Sequence, residues 1–321
     1  MAEIKVPEDV YDIIIVGGGP GGLTSGLYAV RANQKVLLLE GSSTISQISL
    51  TDFIENYPGI QGISGFDLID QFKKQAIGFG LEIKAEQVNR ITRELLGDIR
   101  GWKLQTDTGE YRSLSVIIST GAQWMHLGVP GEEDFIGRGV SFCATCDAPF
   151  YRNKEVAVVG GGNTAIQEAL YLTKFASRVT LIHRRNRLRA EGILQERAFA
   201  NDKIHFAWGS VVEEIIGYNN VTSVKIKNVN IPEETRELPV EGIFLFIGLT
   251  PNTKLVEGLV NLDQDGYIIA HGDMRTSAKG IFACGDCIHK SLRQVVTACG
   301  DGATAASSAE LYVDEVKGQA Y

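Results

Sequence analysis

The chain has 321 residues, of which 44% are hydrophobic and 22% charged, so it has a globular composition and is long enough for two domains of ordinary size. Its formal net charge of -8 argues against nucleic acid and anionic membranes as partners, because both favour basic surfaces. No apolar run approaches the roughly 18 residues of a membrane-spanning helix, and the polar, acidic start of the chain lacks the features of a signal peptide, so a cytoplasmic protein is expected.

The first predicted elements are a β-strand at 11–16, a glycine-rich turn at 17–22, an α-helix to about residue 32 and a second β-strand at 35–40. This order is typical of half of a βαβ dinucleotide-binding unit. In such a unit the glycines allow a tight turn and a close approach to a pyrophosphate, and the helix N-terminus presents free N–H groups to the phosphates. The turn contributes Gly17, Gly19, Pro20 and Gly22 to the predicted site.

Farther along the chain, Cys143 and Cys146 have C-x-x-C spacing, and Asp147 follows directly. Such a pair can close a small disulfide ring, and Asp147 is placed to move a proton for a leaving thiolate. The alternatives are half of a zinc site completed by Cys284 and Cys287, or a second redox disulfide between those two. We expect neither, and no metal, because the second pair lies where an apolar strand ends in Gly-Asp and small structural side chains are usual.

The same order of elements returns as a strand at 155–159, a turn at 160–165, a helix to about residue 175 and a strand at 178–183. In both copies the second strand ends at the same distance from the first glycine, 17 to 40 and 160 to 183. This agreement favours two copies of one nucleotide-binding device over two unrelated glycine-rich turns. The second turn contributes Gly160, Gly162, Asn163, Thr164 and Ala165.

The residue that ends the second strand of each copy distinguishes the two ligands. Glu40 can accept hydrogen bonds from ribose hydroxyls, which predicts a nucleotide with a free 2′-OH in the first site. The second copy ends in His183, followed by Arg184 and Arg185, with Arg189 close behind. Because arginine binds phosphate through a bidentate fork, this cluster predicts the 2′-phosphate of NADPH; a solvated basic surface is the alternative.

Together these motifs resemble those of the low-molecular-weight, bacterial-type thioredoxin reductases, a class of pyridine nucleotide-disulfide oxidoreductases. The resemblance extends from about residue 11 to 311 and includes further motifs at 55–59, 120–122, 285–286 and 293–294. It implies an α/β fold of two Rossmann-like, three-layer domains, the second inserted into the first. The expected segments are an FAD-binding domain at 1–121 and 248–321 and an NADPH-binding domain at 122–247 that carries the C-x-x-C pair.

The resemblance also implies an activity, a partner and an assembly. NADPH would reduce FAD, FAD would open a Cys143–Cys146 disulfide, and the dithiol would reduce thioredoxin or a thioredoxin-like protein. Members are usually homodimers whose two domains rotate during turnover. One alternative is another acceptor, such as a glutaredoxin-like protein, a peroxiredoxin module or a low-molecular-weight disulfide. The other is ferredoxin as the electron donor, against which Arg184, Arg185 and Arg189 argue.

The predicted FAD residues include family motif positions as well as the first turn. The full set is Gly17, Gly19, Pro20, Gly22, Glu40, Gln47, Asn56, Thr120, Gly121, Gly285, Asp286, Arg293, Gln294 and Val295. The predicted NADPH residues are Gly160, Gly162, Asn163, Thr164, Ala165, His183, Arg184, Arg185 and Arg189. The chain departs from the family pattern at Ile45 and Ser46, which replace a usual Gly-Gly before Gln47 and are expected to change the path of that loop. Cys299, in an Ala- and Gly-rich run, is expected to be a buried helical residue.

Overall fold

The computed structural model describes residues 6–41, 46–50, 54, 56–97, 99–231 and 233–319, with the backbone alone at 47, 50, 145 and 146. The chain forms two compact units. Unit 1 consists of the chain up to Gln123 and from Thr250 onward, and unit 2 is Trp124–Leu249. Both boundaries lie two residues farther along the chain than those that the sequence predicts.

Strands and helices alternate in two stretches, at 10–85 and at 144–208, and consecutive strands make up the rest of the chain before the last helix. The strands are β1 (Val10–Val16), β2 (Val36–Glu40), β3 (Glu82–Ala85), β4 (Val88–Leu96), β5 (Ile99–Thr106), β6 (Glu110–Ile118), β7 (Ala122–Trp124), β8 (Val140–Ser141), β9 (Glu155–Gly160), β10 (Arg178–His183), β11 (Ile204–Trp208), β12 (Ser210–Gly217), β13 (Val221–Asn228), β14 (Thr235–Pro239), β15 (Gly242–Phe246), β16 (Leu249–Pro251) and β17 (Ile281–Ala283). The α-helices are α1 (Pro20–Arg31), α2 (Gly65–Gly78), α3 (Ala144–Asp147), α4 (Asn163–Leu172), α5 (Gly192–Phe199) and α6 (Val295–Lys317).

Unit 1 is built on a seven-stranded sheet in the order β3-β2-β1-β6-β5-β4. β6 pairs with β5 through its first half and with β17 through its last residues, so β17 returns the chain to the centre of the sheet. β1 is buried on both faces: Ile13 and Ile15 pack toward α1 and α6, whereas Ile14 and Val16 pack on the opposite side. A central parallel strand of this kind is a continuous apolar run, as its sequence shows.

Unit 2 repeats this design with a five-stranded parallel sheet in the order β11-β10-β9-β15-β8 and a separate antiparallel sheet, β12-β13-β14. Alternate residues of β9 again face two hydrophobic cores. Val156 and Val158 pack in one core, and Ala157 and Val159 pack in the other. β10 has the predicted bounds. α4 ends at Leu172, about three residues earlier than predicted.

No helix in the described ranges combines the length and the apolar character that crossing a bilayer requires.

Candidate functional site

The first glycine-rich turn connects the end of β1 to the start of α1. Gly17 has φ +114°, and a Cβ atom there would lie 2.2 Å from the carbonyl oxygen of Ser119, so only glycine fits. In the described chain, no side chain caps α1 at its N-cap residue Gly19, and its first turn contains no acidic residue. The first N–H groups of the helix therefore remain available for an anion such as a pyrophosphate.

Glu40 lies directly against this turn. Its Oε2 and Cβ atoms are each 2.8 Å from the place that a Cβ of Gly18 would occupy. Lys73 of α2 fixes the carboxylate, since its Nζ lies 2.7 Å from both Oε1 and Oε2. The carboxylate is thus held at the turn in one orientation, where it can accept hydrogen bonds from ribose hydroxyls.

The Gly-Asp element follows β17, and its carboxyl needs a donor. Oδ1 of Asp286 is buried and has no hydrogen-bond partner among the described residues. Burial raises the pKa of this carboxyl. Because an unpaired buried acceptor is costly, a ligand hydroxyl donating to it would remove the cost. FAD fits the features described so far, since it has hydroxyls for the buried Asp286 oxygen and a pyrophosphate for the glycine turn and the N-terminus of α1.

The start of α6 brings the other predicted FAD residues together. Gln294 is the N-cap, and its Oε1 accepts from Nδ2 of Asn56 at 2.9 Å; Val295 is the first helical residue. The Arg293 guanidinium lies 4.1 Å from the ring centroid of Tyr267 and donates to the carbonyl oxygen of Asp286 at 3.5 Å.

At the predicted end of the first FAD-binding segment, the Thr120 hydroxyl donates to the carbonyl oxygen of Asn252 at 2.6 Å. The N–H of Asn252 donates in turn to the carbonyl oxygen of Gly121.

The loop before Asn56 is partly described. The backbone of Gln47 begins a short 3₁₀ helix, Gln47–Leu50, while its side chain and all of Ile45 lie outside the described residues. The Ser46 hydroxyl oxygen is 3.7 Å from the place of a Cβ on Gly19, so one of the two departures from the family pattern lies beside the first turn.

The second glycine-rich turn holds the basic loop through its backbone. The carbonyl oxygen of Gly161 accepts hydrogen bonds from the N–H groups of Arg189 and Ala190, at 2.7 and 3.1 Å. Asn163, the first residue of α4, exchanges two further hydrogen bonds with Glu191. α4 begins after Gly162 without a side-chain cap from the described residues, as α1 does. The loop is therefore pinned to the helix N-terminus that would bind a pyrophosphate, and Thr164 and Ala165 lie in the first turn of that helix.

The arginines of this loop are exposed, whereas Leu188 and Ala190 between and after them are buried. None of their guanidinium groups has an ion pair with a carboxylate in the described part of the chain. An uncompensated cluster of this kind favours an anionic ligand. Its members are Arg184, Arg185, Arg187 and Arg189.

His183 is buried, unlike the arginines that follow it. Its side chain is 5% exposed, and its Nε2 lies 3.1 Å from the carbonyl oxygen of Arg187. Burial is the main cause that lowers the pKa of this imidazole. The ring therefore supports the basic loop from below as a neutral group.

Cys143 is half-buried and disulfide-bonded, and it directly precedes the short helix α3. Its N–H donates to the Ser141 hydroxyl oxygen at 3.1 Å, and its carbonyl oxygen accepts from the N–H of Asp147 at 3.2 Å. The N–H of Ala144 donates to the Glu168 carboxylate. The side chain of Cys146 lies outside the described residues, so its pairing with Cys143 stays a prediction.

Comparison with known proteins identifies the family to which the chain belongs. Residues 11–302 match the pyridine nucleotide-disulphide oxidoreductase family. The thioredoxin reductases of Peptoclostridium acidaminophilum and Bacillus subtilis are 45% and 42% identical to the chain, over 96% and 97% of it and 98% and 97% of their own lengths. The chain belongs to the thioredoxin reductase family.

Solved structures agree with this assignment. The thioredoxin reductase of Streptococcus pyogenes MGAS5005 superimposes with a TM-score of 0.78 at 43% identity, covering 96% of this chain and 100% of that one. The enzyme of Lactococcus lactis gives 0.76 at 44% identity, covering 95% and 99%. The predicted family and the predicted α/β fold with two dinucleotide-binding domains are confirmed.

In this member of the thioredoxin reductase family, the other cysteines are free thiols. Cys284 and Cys287 are fully buried, and burial raises the pKa of Cys284 to about 12 and that of Cys287 as well. A thiol that resists ionisation is a poor nucleophile and a poor metal ligand. Among the described residues, no group of three or more His, Cys, Asp or Glu could hold a metal ion. Cys299 lies in α6 as predicted, but it is half-buried and not fully buried.

Sequence reasoning did not identify three residues that hold predicted members of the site: Lys73 on Glu40, Tyr267 on Arg293 and Asn252 on Thr120. Each acts across a long separation in the chain. Nothing local distinguishes Lys73 from Lys74, which pairs with Asp70 on the same helix. These contacts join residues that are far apart in the sequence, so no local pattern predicts them.

Proposed function

We propose that the chain is a thioredoxin-disulfide reductase that uses FAD and NADPH and acts through Cys143 and Cys146. One observation carries the proposal: a single chain holds a disulfide-bonded C-x-x-C cysteine and two glycine-rich nucleotide turns of opposite character. A carboxylate, Glu40, ends the first copy, and exposed arginines that have no ion pair in the described part of the chain follow His183 at the end of the second. Members of the thioredoxin reductase family at 42–46% identity support the same activity.

FAD supplies the two-electron chemistry that connects NADPH with the disulfide when it is bound. In the first unit, Gly17, Gly19 and the N-terminus of α1 would hold its pyrophosphate, and Glu40 would accept from its ribose. Asp286 would accept from a further hydroxyl through Oδ1. The N-terminus of α6, with Gln294 as its cap, would favour negative charge on the cofactor.

NADPH would bind the second unit in the corresponding way. The N-terminus of α4 would face its pyrophosphate, since no side chain of the described residues caps that end. Arg184, Arg185 and Arg189 would bind the 2′-phosphate. His183 would keep their loop in place from beneath.

The dithiol step is thiol–disulfide exchange, which moves two electrons and two protons from the Cys143–Cys146 dithiol to the thioredoxin disulfide. One thiolate of the reduced pair attacks a sulfur of the thioredoxin disulfide, which forms a mixed disulfide and releases one partner thiolate. The second thiolate then breaks the mixed disulfide, restores the Cys143–Cys146 bond and releases reduced thioredoxin. Asp147, whose N–H is bonded to Cys143, would hold the proton that the leaving thiolate takes.

Thioredoxin as the acceptor has independent support. A Mycobacterium leprae protein that is 42% identical is named a bifunctional thioredoxin reductase/thioredoxin, and this chain matches 68% of its length. That protein joins both activities in one chain. A homodimer and a cytoplasmic location also belong to the proposal; the free thiols of Cys284 and Cys287 are consistent with a reducing compartment.

An anaerobic titration tests the function. NADPH should bleach the flavin of the purified protein, NADH should bleach it far less efficiently, and added oxidised thioredoxin should restore the colour. A related structure, 31% identical, is titled a ferredoxin-flavin thioredoxin reductase. Bleaching by reduced ferredoxin and not by NADPH would therefore show that ferredoxin is the electron donor. Failure of thioredoxin to reoxidise the flavin would show that the acceptor is a different molecule.

A further inference from the structure

Lys290 and Asp301 form an ion pair that is shielded from solvent. Nζ and Oδ2 are 2.5 Å apart, and the side chains are 12% and 18% exposed. Another pair joins α6 to the loop before β17, Lys279 with Glu315, but it is 3.5 Å long and the side chains are 70% and 64% exposed. Solvent and salt screen the shielded pair much less, so it can hold a local geometry that the exposed pair cannot.

The same Asp301 oxygen also binds the backbone directly before Asp286. Oδ2 accepts a hydrogen bond from the N–H of Gly285 at 3.2 Å. Gly285 has φ +76°, in the left-handed region that favours glycine, and this conformation turns the chain into Asp286. Asp286 is the residue whose Oδ1 is buried without a partner in the described chain.

Asp301 is itself held in place by the crossing of α6 over the start of α1. The Ser25 hydroxyl donates to the carbonyl oxygen of the next residue, Gly302, at 3.0 Å. A Cβ on Gly302 would lie 2.3 Å from the carbonyl oxygen of Gly21, so the two helices touch at their backbones. The pair therefore links the Gly-Asp turn to the helix N-terminus that would bind the pyrophosphate.

Charge explains why Asp301 needs a cationic partner here. Burial raises the pKa of the Asp286 carboxyl, Lys290 and Arg293 oppose that rise, and Asp301 adds to it. Two carboxylates on either side of Gly285 repel each other unless a cation lies between or beside them. Lys290 supplies that cation.

We propose that Lys290 and Asp301 are a positioning pair for the retention of FAD, which hold the Gly285–Asp286 turn so that the Asp286 carboxyl meets a cofactor hydroxyl. The inference rests on the proposed function, which assigns Asp286 to FAD. Neither side chain needs to touch the cofactor. Lys290 acts through Asp301, and Asp301 acts through the N–H of Gly285.

The test measures the dissociation constant of FAD for Lys290→Met, Asp301→Asn and the double variant, from the fluorescence of released flavin. Each single change should weaken FAD binding about tenfold, since each removes a charge-assisted hydrogen bond. The double variant should lose little more, because the two residues act as a unit. Lys290→Arg should restore most of the affinity. Lys279→Met, which breaks the exposed pair on the same helix, should bind FAD like the wild type.

Thermal unfolding with and without FAD separates positioning from a purely structural role. A positioning pair predicts that Lys290→Met loses much of the increase in Tm that FAD gives the wild type. Equal losses of Tm with and without FAD, or unchanged FAD affinity in both single variants, would overturn the inference. Asp301→Asn keeps the size of the side chain and an oxygen that can accept from the N–H of Gly285. It therefore replaces Lys290→Met in this test if that variant does not fold. A wild-type protein that binds no FAD would overturn the proposed function itself, and this inference with it.

Discussion

The imidazole of His183 lies against the backbone of Gly161, where an added Cβ would come within 2.3 Å of Cε1. Glu40 stands in the same relation to Gly18, at 2.8 Å. In both copies the side chain that ends the second strand covers the middle glycine of the turn. The two nucleotide sites thus share one contact and differ in the charge presented around it, a carboxylate in the first and arginines in the second.

The contact predicts the effect of a methyl group at residue 161. Gly161→Ala should push the His183 ring and the basic loop away from the turn, because that ring is buried and cannot yield without cost. Overpacking of this kind destabilises by about 1–3 kcal/mol. We expect a higher KM for NADPH in steady-state kinetics and an unchanged FAD content. Gly192→Ala is the control, since nothing in the described chain lies within 4 Å of its added Cβ; equal behaviour of the two variants would contradict the argument.

The exposed arginines predict the coenzyme preference. Neutral replacement of Arg184, Arg185 or Arg189 by Gln should lower kcat/KM for NADPH about ten- to a hundredfold and leave NADH nearly unchanged, because each change removes a charge-assisted hydrogen bond to the 2′-phosphate. The difference should shrink at high salt. Arg197→Gln, exposed on α5 of the same unit, should have no such effect. Equal small losses with both coenzymes would instead indicate a solvated basic surface.

The lowered pKa of His183 predicts a pH effect on stability and none on coenzyme choice near neutrality. A buried imidazole with a folded-state pKa below the unfolded value of about 6.5 binds fewer protons in the folded state, so its contribution is complete above that pH and is lost as pH falls. Wild-type Tm should therefore fall below about pH 6.5 more steeply than the Tm of His183→Gln. Parallel profiles would show that His183 does not titrate as a buried group.

Much of this fold could be predicted because its signals are local. The two strand–turn–helix–strand copies follow from apolar runs and glycines that are neighbours in sequence, and β10 has the predicted bounds. Beyond the early end of α4, the carbonyl oxygens of Thr173 and Ala176 bind a distant residue, since both accept from Nζ of Lys203. Sequence periodicity carries no information about that contact.

The site was less predictable for the same reason. Motifs identified the glycines, Glu40, Asp286 and the arginine cluster, since each has a fixed place relative to a strand end. The side chains that orient them come from elsewhere in the chain, as with Lys73 on Glu40. The burial of His183 could not be predicted, because a motif gives the position of a residue and not its burial.

The disulfide-bonded cysteine predicts a separation of two half-reactions. Cys143→Ser should abolish thioredoxin reduction, while the flavin stays bound and reducible by NADPH, because the dithiol acts after the cofactor. Cys284→Ala should retain most of the turnover, since that thiol is fully buried and its ionisation is disfavoured. Stopped-flow absorbance measures the first step and a thioredoxin assay the second. Substantial thioredoxin reduction by Cys143→Ser would exclude this cysteine from the relay.

The Lys73–Glu40 pair predicts a modest and specific loss of FAD affinity. Lys73→Met leaves the Glu40 carboxylate against Gly18 without its fixed orientation, so hydrogen bonding to the ribose should weaken. The side chains are 33% and 25% exposed, and a pair near the surface is worth at most about 1 kcal/mol, which corresponds to up to about fivefold in the dissociation constant. Lys74→Met is the matched control, because it breaks the neighbouring pair with Asp70 on the same helix without touching the turn. The FAD affinity of both variants is measured from the flavin fluorescence that appears on dilution. The same affinity in the two would show that Lys73 has no role in FAD binding.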